Sequence, residues 1–178
     1  MKRNILIAFA ATSLLFYSTQ AFALLSFSAG VPFSHTITGK YSDGTEVKSD
    51  GVSGMFIQVG VPIFPGVGMD SYKTKLKDTT IELATMIYNL YYLLPIPIIN
   101  LTLGVGAGST ELQCAACSSA FEKGSATQWY ASFGMPIIPL FDLHLSYRSV
   151  SSKIKRKTGS TEHDLGGNVM GLGIGFNF

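Results

Sequence analysis

The sequence is short of charge, of cysteine and of tryptophan. Charged residues make up only 13% of its 178 positions, roughly half the usual share. That shortage excludes an acidic or disordered chain and a basic nucleic-acid binder. Two cysteines and one tryptophan are present. No heptad run and no collagen period occurs, so neither a coiled coil nor a triple helix is expected. What the chain has instead is apolar residues (47%), nineteen glycines and twelve phenylalanines. So much glycine argues against a plain helical bundle, because glycine disfavours helix interiors.

The first 23 residues have the layout of a secretory leader. Lys2 and Arg3 form a positive start. The apolar stretch at 5–16 is long enough for a signal core and too short to span a bilayer. Ala21-Phe22-Ala23 supplies a small-x-small cleavage site, so the leader is expected at 1–23 and the mature chain at 24–178. An uncleaved anchor helix is the alternative. Without Lys2 and Arg3, eleven basic residues face eleven acidic ones. Net charge therefore steers no particular partner.

The mature chain alternates between two textures. Polar islands at 39–50, 73–78, 111–126 and 151–164 collect most of the charges and read as four solvated loops. Between them stand short proline-rich elements at 61–65, 94–97 and 135–139, which suit tight turns. Seven connections join eight segments, with long loops at one end and tight turns at the other. That is the plan of a membrane β-barrel.

Most segments alternate with period two, as barrel strands do. Met170, Leu172, Ile174, Phe176 and Phe178 oppose Val169, Gly171, Gly173, Gly175 and Asn177. Phe141, Leu143, Leu145 and Tyr147 oppose Asp142, His144, Ser146 and Arg148. Trp129, Ala131 and Phe133 oppose Gln128, Tyr130 and Ser132. Residues 67–77 alternate poorly, with Asp70 and Tyr72 on one face. Residues 81–93 are apolar almost throughout, apart from Glu82 and Asn89. Strand and helix both stay open there, since periodicity cannot type such a run. The faces opposite the apolar ones carry Gly, Ser, Thr and Asn with few charges. They make a poor soluble exterior and a suitable lumen, one that inward glycines would widen. The expected fold is all-β: an eight-stranded antiparallel transmembrane barrel, wound as an up-and-down meander.

The ending Gly171-Leu172-Gly173-Ile174-Gly175-Phe176-Asn177-Phe178 resembles the C-terminal signal of bacterial outer-membrane proteins. The whole pattern resembles the small eight-stranded class of OmpA-, OmpX-, OmpW- and opacity-type barrels. The resemblance implies an outer-membrane location with both termini in the periplasm. It implies an assembly signal at Ile174, Phe176 and Phe178, read by the barrel-assembly machinery. It implies outer-membrane lipid and lipopolysaccharide as surroundings, and host or surface ligands as possible loop partners. No cofactor or metal is expected.

Asp70, Glu82, Asp142, His144 and Arg148 are candidates for a paired polar network filling the lumen, because buried charges need partners. His144-x-Ser146 also resembles the His-x-Ser of the outer-membrane lipid A deacylase, with Glu162 as its acid. Against that, alternation turns His144 and Ser146 inward, and Glu162 lies in a polar island. Cys114-x-x-Cys117 reads as a local disulfide of an exported loop. Two thiols alone make no four-ligand metal site. Lys153, Lys155, Arg156 and Lys157 form a basic cluster that could contact lipopolysaccharide phosphates or a host polyanion. Three roles follow: envelope integrity or surface contact, a narrow channel for small or apolar solutes, and lipid A modification.

Overall fold

The computed structural model describes residues 25–40, 44–61, 64–94, 96, 99–138, 140–158 and 162–177. The expected leader and Phe178 lie outside them. The strands are β1 (Ser26–Ile37), β2 (Ser49–Gly60), β3 (Gly66–Leu76), β4 (Glu82–Leu94), β5 (Asn100–Gln113), β6 (Gly124–Ile138), β7 (Phe141–Lys155), β8 (Glu162–Asp164) and β9 (Gly167–Asn177). One short helix, α1 (Cys117–Ala120), sits in the connection between β5 and β6. No helix among the described residues is long and apolar enough to cross a membrane.

Each strand from β1 to β7 pairs antiparallel with the next. β9 pairs with β7 on one side and β1 on the other, so the sheet closes on itself. β8 pairs with the far end of β7 and continues the path of β9, interrupted at Leu165-Gly166. The barrel therefore has eight staves in meander order. The ambiguous run at 81–93 is strand β4: Leu83, Thr85, Ile87, Asn89 and Tyr91 are buried, while Met86, Tyr88, Leu90 and Tyr92 are exposed.

The outer face carries an apolar belt. Phe27, Val31 and Phe33 of β1, Leu103 and Val105 of β5, Trp129 and Phe133 of β6, and Leu143, Leu145 and Tyr147 of β7 all point outward and exposed. Such a continuous apolar exterior suits hydrocarbon and is unfavourable in water. Closure supplies each wall strand with two neighbours, so no backbone edge faces lipid there.

The polar islands are not all loops. β3 runs through Lys73 and Lys75 to Leu76, and β7 runs through Lys153 to Lys155. Beyond the belt the wall faces water, so an outward lysine no longer opposes strand formation. There the alternation inverts. Lys73 and Lys75 point out while Thr74 and Leu76 point in, and Lys153 points out while Ile154 points in. The third proline-rich element also shrinks. β6 continues through Pro136 to Ile138, with an irregularity in its pairing to β7 at that point. An irregular ladder is where a strand tolerates proline.

The inward glycines do not widen the lumen. Aromatic and imidazole rings occupy the space they leave. A Cβ on Gly104 would stand 2.3 Å from the Tyr130 ring, one on Gly66 2.3 Å from the Tyr91 ring, one on Gly171 2.4 Å from Phe56 and one on Gly175 2.3 Å from His144. Gly104→Ala is therefore expected to destabilise the barrel by roughly 1–3 kcal/mol, the usual range for overpacking. Tyr130→Leu in the same chain should recover part of that loss. Urea titration of the refolded barrel, followed by its heat-dependent gel mobility, checks both, and independent, additive effects would refute the pairing.

Candidate functional site

Alternation along β3, β4, β6 and β7 points Asp70, Asn89, Gln128 and Arg148 into the barrel from four different staves. They meet at mid-height. Arg148 Nε donates to Asp70 Oδ2 at 2.9 Å, and both side chains are almost wholly buried. Gln128 Nε2 donates to the same carboxylate oxygen and to Asn89 Oδ1 at 2.6 Å. Arg148 Nη1 also donates to Ser146 Oγ, which itself donates to the Gly171 carbonyl at 3.2 Å. The guanidinium stacks 3.5 Å from the Phe56 ring centroid and 4.9 Å from that of Tyr130. A weakly hydrated, planar cation suits such a sandwich. Gln58 Nε2 donates to the Tyr130 hydroxyl at 2.8 Å, and Ser28 Oγ donates to Gln58 Oε1 at 3.0 Å.

A smaller polar group sits toward the tight turns. Asn100 Nδ2 donates to Asp142 Oδ2 at 2.5 Å, and His144 Nε2 lies 4.0 Å from the same oxygen. The cavity here, lined by Ser28, Gln58, Tyr91, Asn100, Asp142 and His144, measures about 20 Å³. That is room for a single water and no solute.

Toward the loops the interior changes character. Phe56, Tyr72, Ile87, Ala126, Val150 and Val169 pack above the ion pair. Next comes a second apolar cluster of Ile37, Val47, Leu76, Leu83, Ile154 and Leu165. Val47 reaches it from outside the barrel wall, because the β1–β2 connection folds back through the Val47 N–H to Gly39 carbonyl bond of 3.1 Å. A pairing irregularity between Pro32 and Ser34 delivers Ile37. By strict alternation His35 and Ile37 would share the exposed face of Phe33; past the bulge both are buried. His35 Nδ1 then meets Thr74 Oγ1 at 2.7 Å.

The sequence candidates are thus distributed unevenly. Asp70 and Arg148 form the central pair, whereas Asp142 and His144 make a separate group below it. Glu82 is not in the lumen. Inward Leu83 follows it, and Glu82 lies on the outer wall 3.6 Å from Lys73. His144 and Ser146 are neighbours in alternation but serve different partners, Asp142 and Arg148. Glu162 stands on the outer wall, 3.7 Å from Lys153. Lys153 and Lys155 belong to strand β7 instead of a loop; Arg156 covers the Phe121 ring at 5.9 Å, and Lys157 Nζ donates to the Ser118 carbonyl at 2.7 Å. Cys114 and Cys117 are disulfide-bonded. Phe56, Gln58, Asn89, Gln128 and Tyr130 were missing from the sequence candidates. For Phe56, Gln58, Gln128 and Tyr130, parity opposite the outward apolar residues of their segments is the available signal; Asn89 shares its face with Leu83, Ile87 and Tyr91, so no alternation marks it.

Neisserial surface protein A superposes with a TM-score of 0.63 at 13% identity, over 86% of this chain and 97% of that one. OprG, an outer-membrane protein of Pseudomonas aeruginosa, gives 0.53 at 11% identity, over 88% of this chain and 96% of that one. The outer-membrane protein AlkL, solved in lipid bilayers, gives 0.50 at 11% identity, covering 88% and 90%. No family model and no curated protein matches the sequence. At such identities the likeness concerns architecture: the chain has the fold of the small eight-stranded outer-membrane barrels.

Breaking the central pair from one side should be far worse than removing it whole. Asp70→Leu strands a buried guanidinium and should cost about 3–5 kcal/mol. Asp70→Leu combined with Arg148→Met should recover most of that loss. A double-mutant cycle in urea, with a coupling energy near zero as the contrary result, decides the matter.

Proposed function

We propose that the chain is an outer-membrane barrel with a closed lumen, acting through envelope integrity and contacts at its outer surface. The observation that carries this is the seal. Two apolar clusters fill the loop end of the barrel over a fully buried ion pair. A hydrated solute entering from the loops would have to cross these two clusters, relieved only by buried His35, Thr74, Thr85, Thr110 and Ser152, before reaching the ion pair, at a large desolvation penalty. Eight staves leave an interior that side chains can fill, and here they fill it.

Several features support the outer-membrane setting. The apolar belt fits hydrocarbon, with Trp129 and Tyr147 in ring contact at 5.8 Å near its loop-side border, where interfacial aromatics belong. Lys73, Lys75, Lys153 and Lys155 stand outward beyond that border. At that height they suit lipopolysaccharide phosphates, although Glu82, Asp50 and Glu162 lie 3.6–4.0 Å from three of them and offset much of their charge. Host or surface ligands would be met at the loops. The start of β1 and the end of β9 share the tight-turn end, which fits a periplasmic placement of both termini after removal of the leader at 1–23. Ile174 is exposed and Phe176 packs on Phe141 at 4.7 Å; with Phe178 they match the ending that the barrel-assembly machinery reads.

Channel function and lipid A cleavage are the rival roles. A channel needs a path that the seal obstructs. A His–Ser hydrolase needs His144 to serve Ser146, and these side chains have other partners. The refolded mature chain, its folding verified by gel mobility, should give no discrete conductance steps in a planar bilayer. Reproducible steps would replace this proposal with the channel. Cells making the protein should show an unchanged lipid A mass, and a lost acyl chain that Ser146→Ala restores would establish the enzyme.

A further inference from the structure

The sheet forks at its loop end. Pairing between β5 and β6 stops at Thr110–Gly124. β5 continues for three residues paired with β4 alone, matching Glu111 to Ala84, Leu112 to Leu83 and Gln113 to Glu82. The returning chain does not rejoin β5. It docks on the extension of β7, where Phe121 bridges Arg156, Glu122 N–H donates to the Lys155 carbonyl and Lys157 N–H donates to the Ala120 carbonyl, both at 2.9 Å. Helix α1 and the Cys114–Cys117 disulfide span the gap, and the Lys157–Ser118 bond ties that span to β7.

The fork encloses an open cleft of about 410 Å³, whose lining includes Glu111, Leu112, Gln113, Ser118, Phe121 and Lys123. This volume falls in the usual range for small-ligand sites. Among the described residues, the side of β5 turned away from β4 has no backbone partner over 111–113. An unpaired strand edge is a template for another strand. Leu112 and Phe121, half-buried against the apolar loop-end cluster, turn their remaining apolar surface to the cleft, while Glu111, Glu122, Lys123 and Lys157 bring two charges of each sign without a net preference.

We propose that this fork binds an extended peptide segment, neutral overall and with an apolar residue, which adds as a strand to the free edge of β5. Backbone bonds would supply affinity, and the Leu112–Phe121 surface would select the side chain. The inference deepens the surface-contact role by naming a partner class. It does not depend on the seal, whose test is conductance.

The probe is a capped tetrapeptide of alternating valine and threonine, titrated into the refolded barrel in micelles. Amide NMR shifts at 111–113 report binding. Saturable shifts are expected there. Methylating the peptide's backbone nitrogens should weaken binding by at least about tenfold, because it removes edge hydrogen bonds. Ser118→Trp, on the exposed face of α1, should fill the cleft and weaken binding similarly while leaving the folded gel mobility unchanged. No saturable shift from a barrel of folded mobility would overturn the proposal. So would a methylated peptide that binds as well, or a Ser118→Trp chain that binds undiminished.

Discussion

Closure of the backbone ladder is the constraint on which the rest depends. A wall facing hydrocarbon has no water to satisfy its N–H and C=O groups, so each must find a partner within the chain. The pairing of β9 with both β1 and β7 removes the last open edge around the belt. Once the sheet is closed, each wall residue faces either lipid or lumen. The lumen of eight staves is too narrow to be a second solvent, so its side chains have to pack.

Two devices make them pack. Glycines on one stave leave slots for rings from another, as Gly104 does for Tyr130 and Gly171 for Phe56. The rings in turn hold Arg148 in a sandwich against Asp70. A buried ion pair of this kind adds little net stability over an apolar equivalent, but it tolerates no loss of one partner. Its effect is to fix how the staves carrying Asp70, Gln128 and Arg148 sit relative to one another.

Along the barrel axis the strands change solvent without ending. In the belt they are apolar outside and polar inside; past it they carry lysines outside, and inside two apolar clusters interleaved with buried Thr74, Thr85, Thr110 and Ser152. The loop end is therefore built like a small soluble barrel set upon a membrane barrel, with Ile37, Val47, Leu83 and Ile154 as its core. The apolar clusters at the loop end and the extension of the wall past the belt have one cause. Strands standing in water need an apolar interior to hold them together. The same extension allows β5 and β6 to part company and leaves the edge at 111–113 open.

Period-two alternation made the eight-stranded barrel and its apolar belt legible in the sequence, because side-chain parity on a strand is local and lipid tolerates few exceptions. The inward direction of Asp142, His144 and Arg148 was legible for the same reason, whereas the poor alternation of 67–77 left that of Asp70 to the structure. Parity says nothing about distance across the lumen. Only the closed barrel brought Asp70 of β3 to Arg148 of β7 and kept Asp142 apart from them. Charge was a misleading guide to loops, since Lys73, Lys75 and Lys153 lie on strands standing in water. Glu82 lies in an apolar run whose two faces look alike in sequence, and the structure sets it outside with Lys73 and not in the lumen network. The bulge after Pro32 reversed the parity of His35 and Ile37, and no local pattern announces a one-residue slip in register. Local alternation thus determined the wall and its two faces, while cross-lumen packing decided what met inside and closed the end.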